Sequence, residues 1–474
     1  MKRIYSIIST CTLALIATSC NFLDEDLKGS YSSENYYTTA GKAEMAVNAV
    51  YNSLYGNTLW IFGDVASDDA VKGGNAGDQA EINDIDKFNP TPDNGCLSTF
   101  WQNSYETISR ANNVITYVPG IKMSETLKNR YVAEAKFFRA WAYFNLVNIF
   151  GQVPLKLKPQ NTSEAIHVGL STVEKIYTQI EDDLAQAAPV LPVSYPSEGG
   201  RVTQGAAYAM LAKARLFQGN WSGALEAIGN FDLITDVYEL EDNYADLFKA
   251  GAEDSKESVL SIRYINNNET SIGNNLNVWF SPAVEGGYYF DAPTQAYVDC
   301  FDELTATGET DPRLDASIGR DGKPWFNGST FSSSWSEATG YLVKKYNEDI
   351  SEEFAKSQST VPQHLIRYAD VLLIKAEALN ESNQTALAAI ELDKVRDRAG
   401  LAPTTAATQA EMRDAIRKER RRELGFEFHR FFDVMRYGKD YAQKALGSDF
   451  HWQEPRFYYP IPQAETDANS ALQK

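Results

Sequence analysis

Apolar residues recur every three or four positions over two long stretches, residues 99–118 and 127–150. This spacing places one wide apolar stripe on a helix, so the pattern predicts two long helices. In the second stretch, alanines and aromatic residues leave little polar surface, which indicates packing on more than one side. Gly151 and Pro154 follow it as stop signals. A capping box formed by Ser171 and Glu174 predicts a third helix that runs to about Ala188.

Two helical hairpins are predicted further along the chain. The first joins an alanine-rich helix, residues 206–217, through a turn at 219–221 to a return helix that begins at 224. The second joins residues 365–379 to 386–399 through a turn at 381–383. Both resemble tetratricopeptide hairpins, which need stacked neighbours to bury both faces. The predicted fold class is therefore mainly α, with tetratricopeptide-like hairpins packed in one superhelical core.

Residues 231–363 differ in character, because Gly, Asn, Ser and Pro are frequent there and the helical period fades. We interpret them as a loop-rich, strand-poor insertion with brief strands near 259–262 and 341–346. Residues 20–230, including a loop-rich stretch at 63–94, form the N-terminal part of the core, and residues 364–474 form its C-terminal part. Because loops on a rigid frame often carry function, the insertion is the predicted ligand-binding region.

The N-terminus is typical of a bacterial lipoprotein signal. Lys2 and Arg3 precede an apolar segment, residues 4–17, which ends in small residues before Cys20 and an acidic run at 24–26. Residues 1–19 are therefore predicted to be a signal peptide, with cleavage before Cys20 and lipid on its sulfur and amine. Several acyl chains would anchor the mature protein durably in a membrane. The alternative is an ordinary secretory signal cut at another small residue.

Charge argues against a nucleic acid partner. The 474 residues contain 44 basic and 64 acidic side chains, for a net charge of −20. Loss of residues 1–19 removes Lys2 and Arg3, so 42 basic residues remain and the net charge becomes −22. Such a surface repels phosphate backbones. The one basic run, residues 417–422, is interpreted as a salt-bridged helix face with Asp414, Glu419 and Glu423.

The sequence offers little support for catalysis or for a cofactor. Cys96 and Cys300 could form a disulfide in an oxidising compartment or remain two buried thiols, and no cysteine spacing resembles a metal site. Four histidines are present, without a metalloprotease, nucleophile-elbow or phosphate-loop motif. Paired carboxylates for glycoside hydrolysis remain open, because their separation is spatial. No enzyme activity, metal or cofactor is predicted.

Several motifs, in the right order, resemble the SusD/RagB family of Bacteroidetes surface lipoproteins. They are Cys20 to Asp24, Phe100-Trp101 with Ile108, Ala111 and Asn112, Arg130 to Pro154, Ile366 to Leu373 with Ala376 to Ala378, Glu419 to Arg421 with Glu423-Leu424 and Arg430 to Asp433, and Tyr459 to Pro462 with Glu465 and Asn469. The resemblance covers essentially the whole mature chain. One departure is that the chain stops soon after Asn469.

The resemblance implies a protein lipid-anchored to the outer membrane, on its extracellular face, with four tetratricopeptide-like units and a variable ligand-binding region. It further implies a SusC-like TonB-dependent transporter as partner, glycan as ligand and no catalysis. In the RagB branch the ligand would be a peptide. A tetratricopeptide-type scaffold without a small ligand is the remaining alternative. The acidic run at 24–26 resembles the signal that exports such lipoproteins to the cell surface.

A neutral-glycan site needs flat exposed aromatic rings flanked by polar groups. Most family residues are instead expected to be structural, with Trp101, Tyr143 and Phe144 in the core and Arg367, Asp370, Arg430 and Asp433 in ion pairs or caps. The candidate ligand contacts are Asp68, Asp69, Asn75 and Asp78 in the first loop, and Trp279, Tyr288, Tyr289, Trp325, Phe326 and Trp335 in the insertion. Any one of these rings could instead fill a small core of the insertion itself.

Overall fold

The computed structural model describes residues 36–56, 58–267, 271–348, 356–448 and 450–473. The predicted signal peptide and Cys20 lie outside these residues. Helices dominate the described chain. In the N-terminal part they are α1 (Ala40–Asn52), α2 (Ala80–Asp86), α3 (Gly95–Tyr117), α4 (Glu125–Phe150), α5 (Thr162–Ala165), α6 (Val173–Ala187), α7 (Gln204–Phe217) and α8 (Trp221–Asp232).

The described part of the insertion contains three short α-helices, and the C-terminal part contains longer ones. The short helices are α9 (Leu276–Phe280), α10 (Gln295–Asp299) and α11 (Pro312–Ser317). The C-terminal helices are α12 (Tyr368–Glu381), α13 (Thr385–Arg398), α14 (Gln409–Leu424), α15 (Arg430–Arg436), α16 (Lys439–Leu446) and α17 (Gln463–Ala468).

Strands occur as small antiparallel pairs in the described ranges. They are β1 (Ala70–Gly73) with β5 (Phe290–Pro293), β2 (Ser258–Ile262) with β8 (Gln363–Arg367), β3 (Ile265–Asn266) with β4 (Ser271–Ile272), and β6 (Ile318–Gly319) with β7 (Leu342–Val343). In the first pair Ala70 lies opposite Pro293 and Gly73 opposite Phe290. This pair joins the first loop-rich stretch to the insertion, although more than 200 residues of sequence separate them.

The predicted helices are confirmed, with local differences at their ends. The third helix is capped by Thr172, whose side chain accepts a hydrogen bond from the Lys175 N–H, rather than by Ser171. The second hairpin begins at Tyr368 instead of residue 365, because residues 363–367 pair with β2 as a strand. The stretch 63–94 is also less irregular than predicted, since it contains β1 and α2.

The two hairpins, α7–α8 and α12–α13, pack on each other through α8 and α12, while α4 packs on α3 and α6. Helix pairs of this kind stack so that neighbours bury what a single pair leaves open. One apolar cluster extends from Ala43 to Tyr459 and includes Trp101, Tyr143 and Phe144, which confirms that these rings belong to the core. The fold is thus mainly α and tetratricopeptide-like. No described helix is both long and apolar enough to span a bilayer.

The basic run at 417–422 lies on α14, but its main ionic partners come from distant segments. Arg420 binds Asp370 at 2.7 Å and Asp433 at 3.1 Å, and Arg422 binds Glu303 at 2.8 Å. Glu419 does lie one turn from Arg422, yet the shortest distance between their charged atoms is 3.8 Å. The predicted local salt-bridge face is therefore a minor part of a long-range network.

Candidate functional site

The candidate aromatic rings fall into two separate groups in the structure. Trp279 lines an open cavity and Tyr288 contacts it from outside the cavity wall, whereas Tyr289, Trp325, Phe326 and Trp335 pack around Phe331 and Leu342 in a small apolar cluster. The two groups have different surroundings and different exposure.

The cavity has a volume of about 370 Å³ and lies between the loop after α1, the helices α2 and α3, and the insertion. Ligand sites in proteins commonly have volumes of roughly 300 to 1,000 Å³. Aromatic and small polar side chains predominate in its wall, which is formed by Tyr55, Gly56, Thr58, Trp60, Ile61, Gln79, Glu81, Ile82, Gly95, Cys96, Thr99, Tyr264, Asn274, Asn275, Leu276, Trp279 and Gln363. We call this space the first cavity.

Trp279, which lines the first cavity, and Tyr288, which contacts Trp279 but does not itself line the cavity, form an aromatic platform. Their ring centroids are 5.4 Å apart, and Trp279 also contacts Trp60 at 6.0 Å and Phe290 at 5.5 Å. Tyr288 is 48% exposed. Contacts with Trp60 and Phe290 hold Trp279 in place, while Tyr288 stays exposed to solvent.

Backbone hydrogen bonds hold the turn that presents Tyr288. The Tyr288 N–H donates to the Val278 carbonyl and the Tyr289 N–H to the Ser281 carbonyl, both at 2.9 Å. Gly287 is required at the centre of this turn, since a Cβ there would lie 2.2 Å from the Ser281 oxygen. The platform is thus preorganised, which lowers the entropy lost when a ligand binds.

Two tyrosines that the sequence did not single out line another part of the first cavity. Tyr55, 39% exposed, follows α1, and Tyr264 follows β2, with 6.4 Å between their ring centroids. The Asn275 amide donates to the Tyr55 hydroxyl at 3.5 Å. Tyr55 stands in the run Tyr51 to Gly56 at the end of an amphipathic helix, where periodicity alone cannot separate a core ring from a site ring.

Polar groups of the first cavity are acceptors and amides rather than cations. Gln79 and Glu81 reach it from α2, and the Glu81 carboxylate lies so close to Gly95 that a Cβ there would be 2.6 Å from Oε2. Thr58 Oγ1 is buried with no hydrogen-bond partner among the described residues. Lysine, arginine and histidine are absent from the described part of the wall. This wall suits hydroxyl groups better than carboxylates or sulfates.

Asp68 and Asp69, predicted as ligand contacts, are ion-paired in the structure. The Arg430 guanidinium donates to both oxygens of Asp68, at 2.7 and 2.8 Å, and Arg421 pairs with Asp69, which is 1% exposed. These arginines lower the pKa of Asp68 although burial opposes them. Both acids therefore attach the first loop to α14 and α15, and we remove them from the proposed set of ligand contacts.

Asn75 lies on the surface beside the second aromatic group. Its side-chain oxygen accepts a hydrogen bond from the Tyr289 hydroxyl at 2.8 Å, and its carbonyl accepts one from Lys72 at 2.7 Å. It bridges the first loop to the insertion. Neither Asn75 nor the exposed Asp78 lines the first cavity.

Trp325 and Trp335 form the centre of the second aromatic group. Trp325 is only 6% exposed, its indole N–H donates to Glu285 at 3.0 Å, and its ring is 5.1 Å from Phe331 and 6.3 Å from Trp335. Burial of this kind is typical of a small core under a loop region. Tyr289, Trp325 and Trp335 are therefore not part of the first cavity.

Both cysteines of the described chain are free thiols, so Cys96 and Cys300 form no disulfide. Burial raises the pKa of each thiol to about 12. The described residues contain no group of three or more His, Cys, Asp or Glu side chains that could hold a metal ion. The arrangement is suited to binding through stacking and hydrogen bonds.

Comparison with known proteins was made for both sequence and structure. A family model described as "SusD family" matches residues 256–474, and one described as "Starch-binding associating with outer membrane" matches residues 21–216. The chain is 26% identical to SusD-like protein P2 of Formosa agariphila, with 98% of each chain covered. It is 28% identical to a SusD-like protein of Bacteroides ovatus, over 94% of this chain and 84% of that protein.

Solved structures agree with these matches. A laminarin-binding SusD-like protein superposes with a TM-score of 0.79 at 29% identity, covering 91% of this chain and 98% of that one. A SusD superfamily protein from Bacteroides vulgatus reaches a TM-score of 0.82, with 92% of this chain and 99% of that one covered. At 22% identity, the second match shows the fold alone.

The fold is a stack of tetratricopeptide-like helical hairpins, and it supports a cavity lined by aromatic rings. These two features together are typical of a ligand-binding protein. Two family models together match most of the chain, and the relatives align over nearly its whole length. The protein belongs to the SusD/RagB family, a family associated with the outer membrane.

Proposed function

We propose that this protein binds a neutral glycan in the first cavity and delivers it to a SusC-like TonB-dependent transporter in the outer membrane. Lipid on Cys20 would anchor it at the extracellular face. The observation that carries the proposal is the platform of Trp279 and the exposed Tyr288 beside a cavity without basic side chains in its described wall. Sugar rings present apolar C–H faces to such platforms and hydroxyl edges to the amides around them.

Relatives support a glycan as the ligand. The structural neighbour of 29% identity is a laminarin-binding protein, and one matching family model is described as starch-binding. Laminarin and starch are neutral polymers, which suits a cavity wall without described cations. No feature of the first cavity specifically favours a peptide. Calorimetric titration distinguishes a peptide carrier and a scaffold from a glycan-binding protein.

Weak affinity is expected for such a site. Each stacked ring contributes roughly 0.5 to 1.5 kcal/mol beyond burial, and each hydrogen bond contributes about 1 kcal/mol net. The free energy from two or three stacked rings and the hydrogen bonds must still exceed the free-energy cost of association. The expected Kd is therefore close to about 1 mM, or about −4 kcal/mol. A protein tethered beside its transporter can work at that strength, because confinement raises the effective concentration.

Calorimetric titration tests the proposal on the soluble body, residues 21–474. The ligands are laminari-oligosaccharides, malto-oligosaccharides, further neutral plant and microbial glycans, and a mixed peptide pool. We expect saturable binding of at least one neutral glycan without release of smaller sugars. Binding confined to peptides would indicate the peptide carrier, and no binding at all would indicate a scaffold.

Three substitutions locate the site. Trp279→Ala and Tyr288→Ala should each weaken glycan binding about tenfold or more, because each removes one stacked ring. Trp335→Ala is the matched control, since it removes an aromatic ring of the same insertion that lies outside the first cavity. Equal loss in all three variants, with unchanged melting temperatures, would contradict the assignment of the site to the first cavity.

A further inference from the structure

A second cavity, of about 480 Å³, lies between the insertion and the end of α13 and shares no lining residue with the first. Its walls are the segment 242–249, helix α11, the aromatic pair Trp325 and Phe326, and the end of α13. Its volume is within the range of ordinary ligand sites. Neither the aromatic platform nor the polar wall of the first cavity contributes to it.

Lys344 is the distinctive charged group of this second cavity. Its ammonium donates one hydrogen bond, to the Pro324 carbonyl at 2.9 Å, and lies 5.6 Å from the centroid of the Phe326 ring. Burial lowers its pKa, and Asp315 only partly opposes this effect. Asp315 itself pairs with Arg320 at 2.6 Å and with Lys323 at 3.5 Å. Among the described residues, Lys344 therefore has no carboxylate partner.

Arg398 adds a second donor to the wall. Its terminal nitrogens pair with Glu257 at 3.1 Å and Glu423 at 2.5 Å, but its Nε is buried without a hydrogen-bond partner in the described chain. A buried donor left without a partner costs about 1 to 3 kcal/mol.

The remaining charged groups of the wall are paired with other side chains or exposed to solvent. Lys249 pairs with Asp246, and the two side chains are 63% and 43% exposed. Asp242 is exposed at the rim, where water and salt screen its charge. The donor of the wall that lacks a charged partner and remains accessible is thus the Lys344 ammonium, and the half-buried Phe326 ring lies beside it.

We propose that the second cavity binds a uronic acid residue of an acidic glycan, with the carboxylate at the Lys344 ammonium and the sugar face against Phe326. Lysine and arginine only donate hydrogen bonds and a carboxylate only accepts them, so the groups are complementary. A charge-assisted bond of this kind is about twice as strong as a neutral one. The inference rests on the proposed function as a glycan-binding protein, but uses a different site.

The test is calorimetric titration of residues 21–474 with tetragalacturonate, oligoglucuronate and oligomannuronate at low salt. The methyl ester of tetragalacturonate is the matched ligand control, since it keeps the backbone and removes the charge. Laminarihexaose reports separately on the first cavity. The variants are Lys344→Met, Phe326→Ala and, as the control at the other cavity, Tyr288→Ala. Arg398 is left intact, because its loss would remove one ion-pair partner each from the buried Glu257 and Glu423.

We expect at least one uronate to bind, its methyl ester to bind tenfold or more weakly, and its affinity to fall as salt rises. Lys344→Met and Phe326→Ala should each weaken that binding about tenfold while laminarihexaose binding and melting temperature stay unchanged. Tyr288→Ala should leave uronate binding unchanged. No binding of any uronate, equal binding of the ester, or an unaltered Kd in Lys344→Met would overturn this proposal. If only neutral glycans bind, the proposal for the second cavity is wrong, and the proposed function at the first cavity still stands.

Discussion

The carboxyl group of Asp291, on β5, is fully buried and has no hydrogen-bond partner among the described residues. Its φ of 58° lies in the left-handed region, which non-glycine residues seldom adopt. Burial raises the pKa of this carboxyl well above its usual range, and the nearby charges of Asp69 and Asp86 raise it further. Asp291 is therefore held as the neutral acid well above the pH at which a free aspartate ionises.

The raised pKa of Asp291 predicts a loss of stability at higher pH. Its contribution is complete below the unfolded pKa of about 3.9 and is lost as pH rises through the folded pKa. Between these two pKa values, the wild type should lose about 1.4 kcal/mol of unfolding free energy per pH unit because of Asp291. Asp291→Asn, which cannot ionise, should show a flatter dependence in urea unfolding at pH 5, 6.5 and 8.

The control for Asp291 is Asp397→Asn, which changes an exposed aspartate on α13. This variant should follow the wild-type pH dependence. If Asp291→Asn also follows the wild-type curve, then Asp291 is ionised in the folded protein and the direction assigned to its pKa is wrong.

At the scale of elements, helix α14 is bound to its neighbours by a buried ionic network. Arg313 of α11 is fully buried and binds Glu419 of α14 at 2.6 Å, Glu423 at 2.9 Å and Asp311 at 2.6 Å. Arg367, at the end of β8, binds Glu423 at 2.8 Å and Glu427 at 2.6 Å. The network therefore connects the insertion, β8 and the C-terminal helices.

Removal of one cation from this network should be strongly destabilising. Arg313→Ala leaves the buried Asp311 without an ion-pair partner among the described residues and removes one partner each from Glu419 and Glu423. Breaking a buried ion pair in this way costs roughly 3 to 5 kcal/mol. We expect a large fall in the urea midpoint. Lys439→Ala, which breaks the exposed pair with Glu454, is the control and should not change it. A midpoint for Arg313→Ala equal to that of the control would refute the structural role of the network.

At the scale of the whole molecule, the N- and C-terminal parts share one core. The apolar cluster includes Ala43 from α1 and Tyr459 near the C-terminus. The Tyr459 hydroxyl donates to the Ile85 carbonyl at 2.8 Å, and its N–H donates to the Ile149 carbonyl at 2.9 Å. Neither part can therefore bury its apolar faces without the other.

A shared core predicts that the two parts fold together. The fragment of residues 36–230, produced alone, should lack a cooperative urea transition, because its apolar faces toward residues 364–474 are left in water. Co-production with residues 231–474 should restore a cooperative complex that can be isolated. A fragment that unfolds cooperatively by itself, as followed by circular dichroism, would show that the N-terminal part is an independent domain.

Prediction from the sequence succeeded for features that depend on neighbours along the chain. The helices at 99–118 and 127–150 differ from α3 and α4 by only a few residues at their ends. Amphipathic spacing is a local property, so it survives without knowledge of the fold. Prediction failed where a partner lies far away in sequence, as for Asp68, whose partner Arg430 is 362 residues distant.

For the candidate site, too, sequence-based prediction failed where contacts between distant segments decide the outcome. Trp279 and Trp325 stand in similar polar surroundings in the sequence, yet Trp279 lines the first cavity and Trp325 is buried against Phe331. Composition cannot distinguish them, because exposure depends on which segments fold over each ring. Tyr55 and Tyr264 were missed for the same reason, since each lies at the end of a regular element and far from the other in sequence.

By itself, the sequence determined the mainly α fold, the two helical hairpins and membership of the SusD/RagB family. These features depend on apolar periodicity and on motifs, and both are properties of residues close together in the chain. The tertiary structure alone decided which aromatic rings stay open, which acids are tied to arginines and where the two cavities lie. Each of these properties depends on contacts between segments hundreds of residues apart, and burial changes both the exposure and the charge of the groups it encloses.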